Sequence, residues 1–301
     1  KHSRNIKLKK AETFLHMDNC ILFIAYSDDN DIKEVDEKHV CENVRRRGYD
    51  IYIKTVEYRD ASTKRIAFTS WKKFVPNSLY AKDANEVILL PFNEDFPTQE
   101  SFNKEGMLSE QIWMDNEGLL HRDGDKPAVI RYINGNVMEE IWYKHGKQHR
   151  VGLPAGLTKS NNGDIIIEVW KQNGEYHRDG GPAYVEYDVK KDDISYEQWY
   201  QHGKQHRIGG PALTSYWYDR NGNKKIGMQI WFQNNLVHRD GNEPAFSKFE
   251  NGEEHHWYKN GKHFRENGKP SLLIKKADGS IFREEWYDEN DKLIRYTGIS
   301  L

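Results

Sequence analysis

Cysteine is nearly missing from this 301-residue chain: Cys20 and Cys41 are the only two. A disulfide framework is thereby excluded for everything beyond residue 41, and a reducing compartment is the expected setting. Long apolar runs are missing as well. None approaches the roughly 20 residues that span a bilayer as a helix, and no secretory signal is visible, so the chain reads as not transmembrane. An excess of one charge is also lacking: 45 Lys and Arg stand against 47 Asp and Glu, a net charge of −2. Residues 1–105 hold 18 of each sign, so neither part is a polyanion binder by bulk charge. Aromatic residues are abundant instead, with 9 Trp, 17 Tyr and 12 Phe. Disordered chains are poor in aromatics, so this one is expected to fold.

Beyond about residue 106 one sentence is repeated. Trp142 to Ala155 reads W-Y-K-H-G-K-Q-H-R-V-G-L-P-A, and it recurs from Trp170 to Ala183 and from Trp199 to Ala212. Looser copies start at Trp113, Trp231, Trp257 and Trp286. The tryptophans are separated by 29, 28, 29, 32, 26 and 29 residues, the signature of a repeat array. Each unit opens on Pro-Ala and a strand, as in Pro127 to Tyr132. It then turns at Asn134-Gly135, Asn162-Gly163, Asn221-Gly222 or Asn251-Gly252, and a second strand ends on the Trp. A further turn, such as His145-Gly146 or Asn173-Gly174, leads to His-Arg and a Gly-containing bend. Asn-Gly between alternating apolar residues is a hairpin signal, because a type I′ turn needs φ > 0 at both central residues.

Two strands per unit predict antiparallel neighbours throughout and exclude helical repeats and propeller blades. The expected fold is mostly β: a small N-terminal α+β domain over residues 1–105, then an elongated antiparallel β-meander over 106–301. The array should hold six to seven hairpin repeats, advancing about 9.6 Å per unit. The tryptophans Trp113, Trp142, Trp170, Trp199, Trp231, Trp257 and Trp286 are expected to stack as ladders along the sheet, a cohesion device before a ligand platform. The histidines His121, His149, His177, His206 and His238 read as packing beside the Trp and bonding a turn carbonyl. The arginines Arg122, Arg150, Arg178, Arg207, Arg239 and Arg265 read as satisfying backbone at the bend. The competing reading of that row is a set of cations for phosphate, carboxylate, nucleic acid or anionic lipid. An insertion carrying Trp217, Tyr218 and Arg220 reads as a protruding loop and the first choice for a specific contact. An active site needs different groups converging on one place, whereas the array spreads equivalent groups evenly. No catalytic residue, metal, cofactor or small-molecule substrate is therefore expected.

The N-terminal part opens on a basic arm, Lys1, Arg4, Lys7, Lys9 and Lys10, read as solvated. Strands are expected over Cys20 to Tyr26, Ile51 to Tyr58, Lys64 to Trp71 and Glu86 to Phe92. A helix is expected from Asp31 to Gly48, with Asp31 and Glu34 as a capping pair and Arg45, Arg46 and Arg47 at its C-terminus. His16, Cys20, His39 and Cys41 are zinc-type ligands without finger spacing, and Asp28 to Asp31 is half a calcium loop without its Gly and Glu. Both read better as ordinary structure. Asn93 to Glu105 reads as a polar linker.

The W-x3-G-x2-H-R-x2-G-P-A units resemble the MORN-type repeats, in the His-Arg-x-x-Gly-Pro-Ala variant that looks common in large DNA viruses and phages. They are also similar to the MORN-variant repeats of some bacterial antitoxin-type proteins. The resemblance covers about residues 107–295. It implies β-hairpin ribbons used for protein–protein contacts and, in some members, for membrane lipids; standard units are shorter and lack the His-Arg-Gly-Pro-Ala tail. The expectation is a non-enzymatic structural or assembly protein contacting other proteins, as a component of a large DNA virus particle, in the virion or the host cytoplasm. The alternatives are an anion-binding module using the Arg row and an antitoxin-like inhibitor of one protein partner.

Overall fold

In this computed structural model, residues 97–298 are described in full except Asn116; of residues 1–96, only the backbone of seven strands is described. The chain divides into two compact parts, residues 1–148 and 149–301. Each is taken by itself.

In the first part every strand pairing is antiparallel. His39–Arg47, Asp50–Asp60 and Arg65–Pro76 form a continuous meander. Cys20–Leu22 lies on the outer side of His39–Arg47 and pairs with Phe14–His16. The far edge of Arg65–Pro76 is shared: Glu86–Pro91 takes its C-terminal half and Gln99–Phe102 its N-terminal half. From Gln99–Phe102 the sheet continues through Leu108–Ile112, Val129–Ile133 and Asn136–Ile141. The helix expected from Asp31 to Gly48 is therefore a strand over 39–47. Val40 and Val44 are four apart, a spacing that suits both the helical period and the period of two, and β-branched residues favour the latter. The capping pair Asp31 and Glu34, the Asp28 to Asp31 segment, the basic arm and the side chains of His16, Cys20, His39 and Cys41 lie outside the described residues.

A second correction concerns the polar stretch from Asn93 to Glu105. Gln99–Phe102 is a strand paired on both sides, not linker. Pro97-Thr98 occupies the Pro-Ala position ahead of it, and Thr98 is buried, as the alanine is in the other units. The hairpin grammar thus begins at Pro97, one half-unit earlier than the sequence suggests.

The second part is an eleven-stranded antiparallel meander running from Gly156–Lys159 to Leu293–Gly298, each strand pairing with the one before it in sequence. Between the second strand of one unit and the first strand of the next sits a much smaller hairpin. Five of these are described: Tyr143–Lys144 with Lys147–Gln148 in the first part, and four more, ending with Tyr258–Lys259 and Lys262–His263, in the second. No α-helix occurs among the described residues, only a short 3₁₀ turn at Glu266–Gly268.

The two kinds of hairpin use different turns. Every small hairpin closes on two residues with positive φ: His145-Gly146, Asn173-Gly174, His202-Gly203, Asn234-Asn235 and Asn260-Gly261. That is the type I′ geometry, which Asn and Gly tolerate. Among the wide hairpins Asn134-Gly135 matches it, while Asn251-Gly252 has two positive φ values but with Gly252 opened to 140°. At Asn162-Gly163 and Asn221-Gly222 the glycine alone has positive φ. There the loop is held by a preceding polar side chain: Asp219 Oδ1 accepts from the amides of Asn221 and Asn223, and Ser160 Oγ from those of Asn162 and Asp164. Asn-Gly marks both turn types, so the dipeptide alone does not tell them apart.

Candidate functional site

Each unit converges on one node behind its Pro-Ala. The alanine amide donates to the carbonyl before the next tryptophan, as Ala183 does to Gln198, while its own carbonyl accepts from the preceding tryptophan, as from Trp170 at 2.7 Å. The tryptophan carbonyl then accepts from the His amide, His177 to Trp170 at 3.1 Å. Ala128, Ala155, Ala183, Ala212 and Ala245 have no exposed surface at all, which explains the smallest side chain at this position.

The arginine closes the node. Its Nη1 donates to the carbonyl of the proline ahead in all six units: Arg122 to Pro127, Arg150 to Pro154, Arg178 to Pro182, Arg207 to Pro211, Arg239 to Pro244 and Arg265 to Pro270, at 3.0–3.2 Å. In five of these units the guanidinium also lies over the indole of its own unit. Its central carbon is 3.6 Å from the Trp113 ring centre for Arg122, 3.7 Å for Arg178 on Trp170 and Arg207 on Trp199, and 4.0 Å for Arg239 on Trp231. Arg265 covers Trp257 in the same way, and Arg295 covers Trp286. Such cation–π pairs contribute about 0.5–2 kcal/mol as water is excluded. Burial lowers the pKa of Arg122, Arg239 and Arg265, yet a guanidinium stays charged at any ordinary pH. Glycine makes room for it: a Cβ at Gly181 would lie 2.7 Å from Arg178 Nε.

The expected tryptophan ladder does not form. No indole is seen stacked on another among the described residues; six of the repeat indoles, those of Trp113, Trp170, Trp199, Trp231, Trp257 and Trp286, lie under a guanidinium instead. Equivalent positions two strands apart are separated by about 9.6 Å, beyond the roughly 4.5–7 Å at which rings touch.

The histidine works differently from the expectation too. It does not donate to a turn carbonyl; its Nδ1 accepts from the first turn residue of the following small hairpin. His121 accepts from the His145 amide, His149 from Asn173, His177 from His202, His206 from Asn234 and His238 from Asn260, at 3.0–3.3 Å. An Nδ1 that accepts places the proton on Nε2. Where the turn residue is itself His the rings also stack, His121 on His145 and His177 on His202. Phe264 replaces the histidine in the one unit whose successor has no small hairpin: Ile281–Tyr287 leads through Asp288 to Lys292 directly into Leu293–Gly298. The acceptor disappears where its donor disappears.

Trp113, Trp142 and Trp257 are buried, and the other four repeat tryptophans are half-buried. Indole nitrogens find acceptors according to bend length. Arg and Pro are five residues apart in the bends after Arg122, Arg239 and Arg265, and each of these bends offers a carbonyl to the next indole: Asp125 to Trp142, Asn242 to Trp257, Gly268 to Trp286. The other bends are one residue shorter. After them Trp170 turns to its neighbour Glu168, and Trp199 Nε1 is buried with no acceptor; Trp113, which follows neither kind of bend, also has a buried Nε1 with no acceptor.

The insertion at Trp217, Tyr218 and Arg220 is not a loop. It lengthens a wide hairpin, with Leu213–Tyr218 paired to Lys224–Ile230, so Trp217 and Tyr218 are strand residues. Trp217 is 47% exposed and Arg220 is exposed in the turn. Tyr218 is tied down: its hydroxyl donates to Asp193 at 2.8 Å, beside the Lys224 ammonium on the same carboxylate. Partial desolvation and that carboxylate push the Tyr218 phenol up to about 12.

Asp115 anchors the first small hairpin. Burial alone would raise its pKa, but the His145 ring at 2.8 Å and the amides of Leu119 and Glu117 hold it below the usual range. Two further relationships escaped the sequence reading: the acid two residues after the His, as in His121 and Asp123, and the His256, Tyr258 and His263 cluster on Tyr287. The first was visible as H-R-D against H-R-V and H-R-I. No group of three or more His, Cys, Asp or Glu arranged to hold a metal occurs among the described residues. No helix there is long and apolar enough to cross a membrane. No protein-family model matches the chain, and no curated protein matches it.

Proposed function

We propose that this chain is a non-enzymatic structural or assembly protein of MORN-like type, presenting its β-repeat surface to other proteins within a large DNA virus particle. The carrying observation is the use made of the repeated polar groups. Each Arg is committed to a proline carbonyl, and nearly every one also to an indole; each His is committed to the next turn amide. They act as fasteners, and equivalent fasteners spread along a sheet offer no point where reacting groups converge. The side chains that differ from unit to unit are left to meet a partner. Crosslinking of the protein in native material, followed by mass spectrometry, tests this. Protein neighbours whose association persists through physiological salt are the expected result. Capture of nucleic acid or anionic vesicles instead, collapsing steeply between low and physiological salt, would put the anion-binding reading in its place.

A further inference from the structure

In four of the six units the residue after the repeated Arg is acidic: Asp123, Asp179, Asp240 and, after Phe264-Arg265, Glu266. In the three that retain the His, the carboxylate reaches its Nε2: 3.1 Å for His121 and Asp123, 3.5 Å for His177 and Asp179, 3.0 Å for His238 and Asp240. At His121 and His238 the imidazole is then engaged at both nitrogens, accepting a turn amide at Nδ1 and donating to the acid at Nε2; at His177 the acid stands beside Nε2 without a hydrogen bond. Two units break this rule in the same way. Val151 follows His149-Arg150, and Ile208 follows His206-Arg207. Both stand in water, Val151 at 71% and Ile208 at 87% exposure. His149 and His206 still accept turn amides at Nδ1. Both rings are half-buried, and their Nε2 protons have no carboxylate to receive them among the described residues.

At His206 this gap opens into a groove of about 710 Å³ whose walls include Trp199, His202, Lys204, His206, Arg207 and Ile208. No acidic residue lines it; Glu197, which approaches the Arg207 guanidinium at 3.8 Å, lies outside the lining. Lys204 adds to the contrast, because the unit before has Glu175 at that position. The groove thus combines an unanswered N–H donor, an ammonium and a large exposed aliphatic side chain.

We propose that this groove docks an acidic side chain of a protein partner. An Asp or Glu carboxylate takes the place that Asp179 and Asp240 fill in the sibling units, accepting from His206 Nε2 beside Lys204. An apolar residue next to it on the partner covers Ile208. That aliphatic contact selects a protein over a free small anion, which has no use for apolar surface. The second acid-free step, His149-Arg150-Val151, lies two units earlier, four strands or roughly 19 Å away at about 4.8 Å per strand. It offers the same partner a second foothold. The inference rests on the protein-contact reading above and names the chemistry of the contact.

The test uses the full chain and a fluorescein-labelled, acetyl-capped dodecapeptide of alternating Asp and Leu, with the Asn-for-Asp peptide as control, read by anisotropy. The acidic peptide binds, and the Asn peptide binds about tenfold more weakly or less, the scale of one lost charge-assisted bond. V151D/I208D copies the sibling units, so it keeps its melting temperature and loses the peptide. K204E, which copies Glu175, weakens binding as a second check that does not touch the His-Arg step. Equal affinity for the Asn peptide, or undiminished binding by V151D/I208D, overturns the proposal. Competition by sodium acetate or phosphate as effective as by the peptide also overturns it, in favour of a small-anion site. The two levels separate in native crosslinking. If V151D/I208D captures the same proteins as the parent chain, the groove is not the contact though the assembly reading stands; if the parent captures none, the assembly reading fails as well.

Discussion

The wide hairpins and the small hairpins of this protein are built to different standards. The wide ones vary in strand length, from three residues at Phe246–Lys248 to seven at Lys224–Ile230, and in turn type. The small ones are uniform: two residues per strand and two turn residues of positive φ, in all five described copies. An isolated hairpin is marginal in water even at greater length. The wide hairpins escape this by laddering onto one another, so their tips are free to change. A small hairpin has no such neighbour on its ladder. Single backbone bonds tie it to the unit before, as from Gly203 to Tyr176 and from Gly261 to Val237; the rest is done by side chains, through the His acceptor, the Arg clasp and the indole beneath, and those side chains are what the repeat preserves.

Substitutions under the small hairpins should therefore be far costlier than substitutions on the wide ones. The largest effect is expected for Trp257→Ala, which removes a buried indole together with its bond to Asn242 and its contact with Arg265: a loss of about 3–5 kcal/mol in denaturant unfolding. Trp217→Ala on the longest wide hairpin should change stability by no more than about 0.5 kcal/mol. Comparable losses at the two sites would erase the distinction.

Next comes His238→Ala, which leaves the Asn260 amide without its acceptor and should destabilise by about 1–3 kcal/mol. Its particular signature is faster hydrogen exchange at Asn260 with little change at the wide-hairpin amides. His238→Phe refills the volume without restoring the acceptor, so exchange at Asn260 should remain fast.

A smaller effect concerns acidity. His256 sits beside Glu254, His263 and Tyr258. Burial lowers its pKa below 6.5, against the opposing pull of Glu254. The unfolded chain then takes up this proton first, so the stability contributed is whole above pH 6.5 and is lost as pH falls through the folded value. The melting temperature should decline as pH drops below 6.5, and His256→Gln should flatten that decline. The depressed carboxylates Asp115 and Glu285 act in a separate window. Their contribution is present above their ordinary values of 3.8 and 4.5 and fades only as pH falls beneath them.

The smallest effect is a gain. Inserting one Asp between Gly180 and Gly181 converts a short bend to a long one and brings a carbonyl to Trp199 Nε1, which has none. About 0.5–1.5 kcal/mol of added stability is expected by thermal melting. No gain would mean that bend length does not govern the indole.

The hairpin rhythm was legible because its punctuation is chemical: Asn and Gly where φ is positive, Pro where no amide is needed, Trp where a strand ends. The first half-unit was missed because Thr98 stands for Ala, and the alternation of Gln99 to Phe102 is too polar to announce a strand. The helix over Asp31 to Gly48 failed because Val40 and Val44 obey two periods at once. Within the node, the sequence marked the right residues but not their bonds. Nothing in H-R-x-x-G-P-A says that the histidine partner lies some 22–28 residues ahead, as Asn260 does for His238 and Asn234 for His206. That pairing is a product of strand stacking, a long-range fact, and the exchange of His for Phe264 made sense only once the missing successor was seen.

The histidine bond always points one way along the chain: an earlier ring receives, a later turn gives. The array consequently has a grain, like wood. Trimming it from the far end leaves behind a ring with an idle lone pair, which water or an aromatic substitute can replace, as Phe264 shows. Trimming from the near end strips a turn amide of the group that fixed its two-residue bend. Units should be easier to lose, or to add, after Arg265 than before His149.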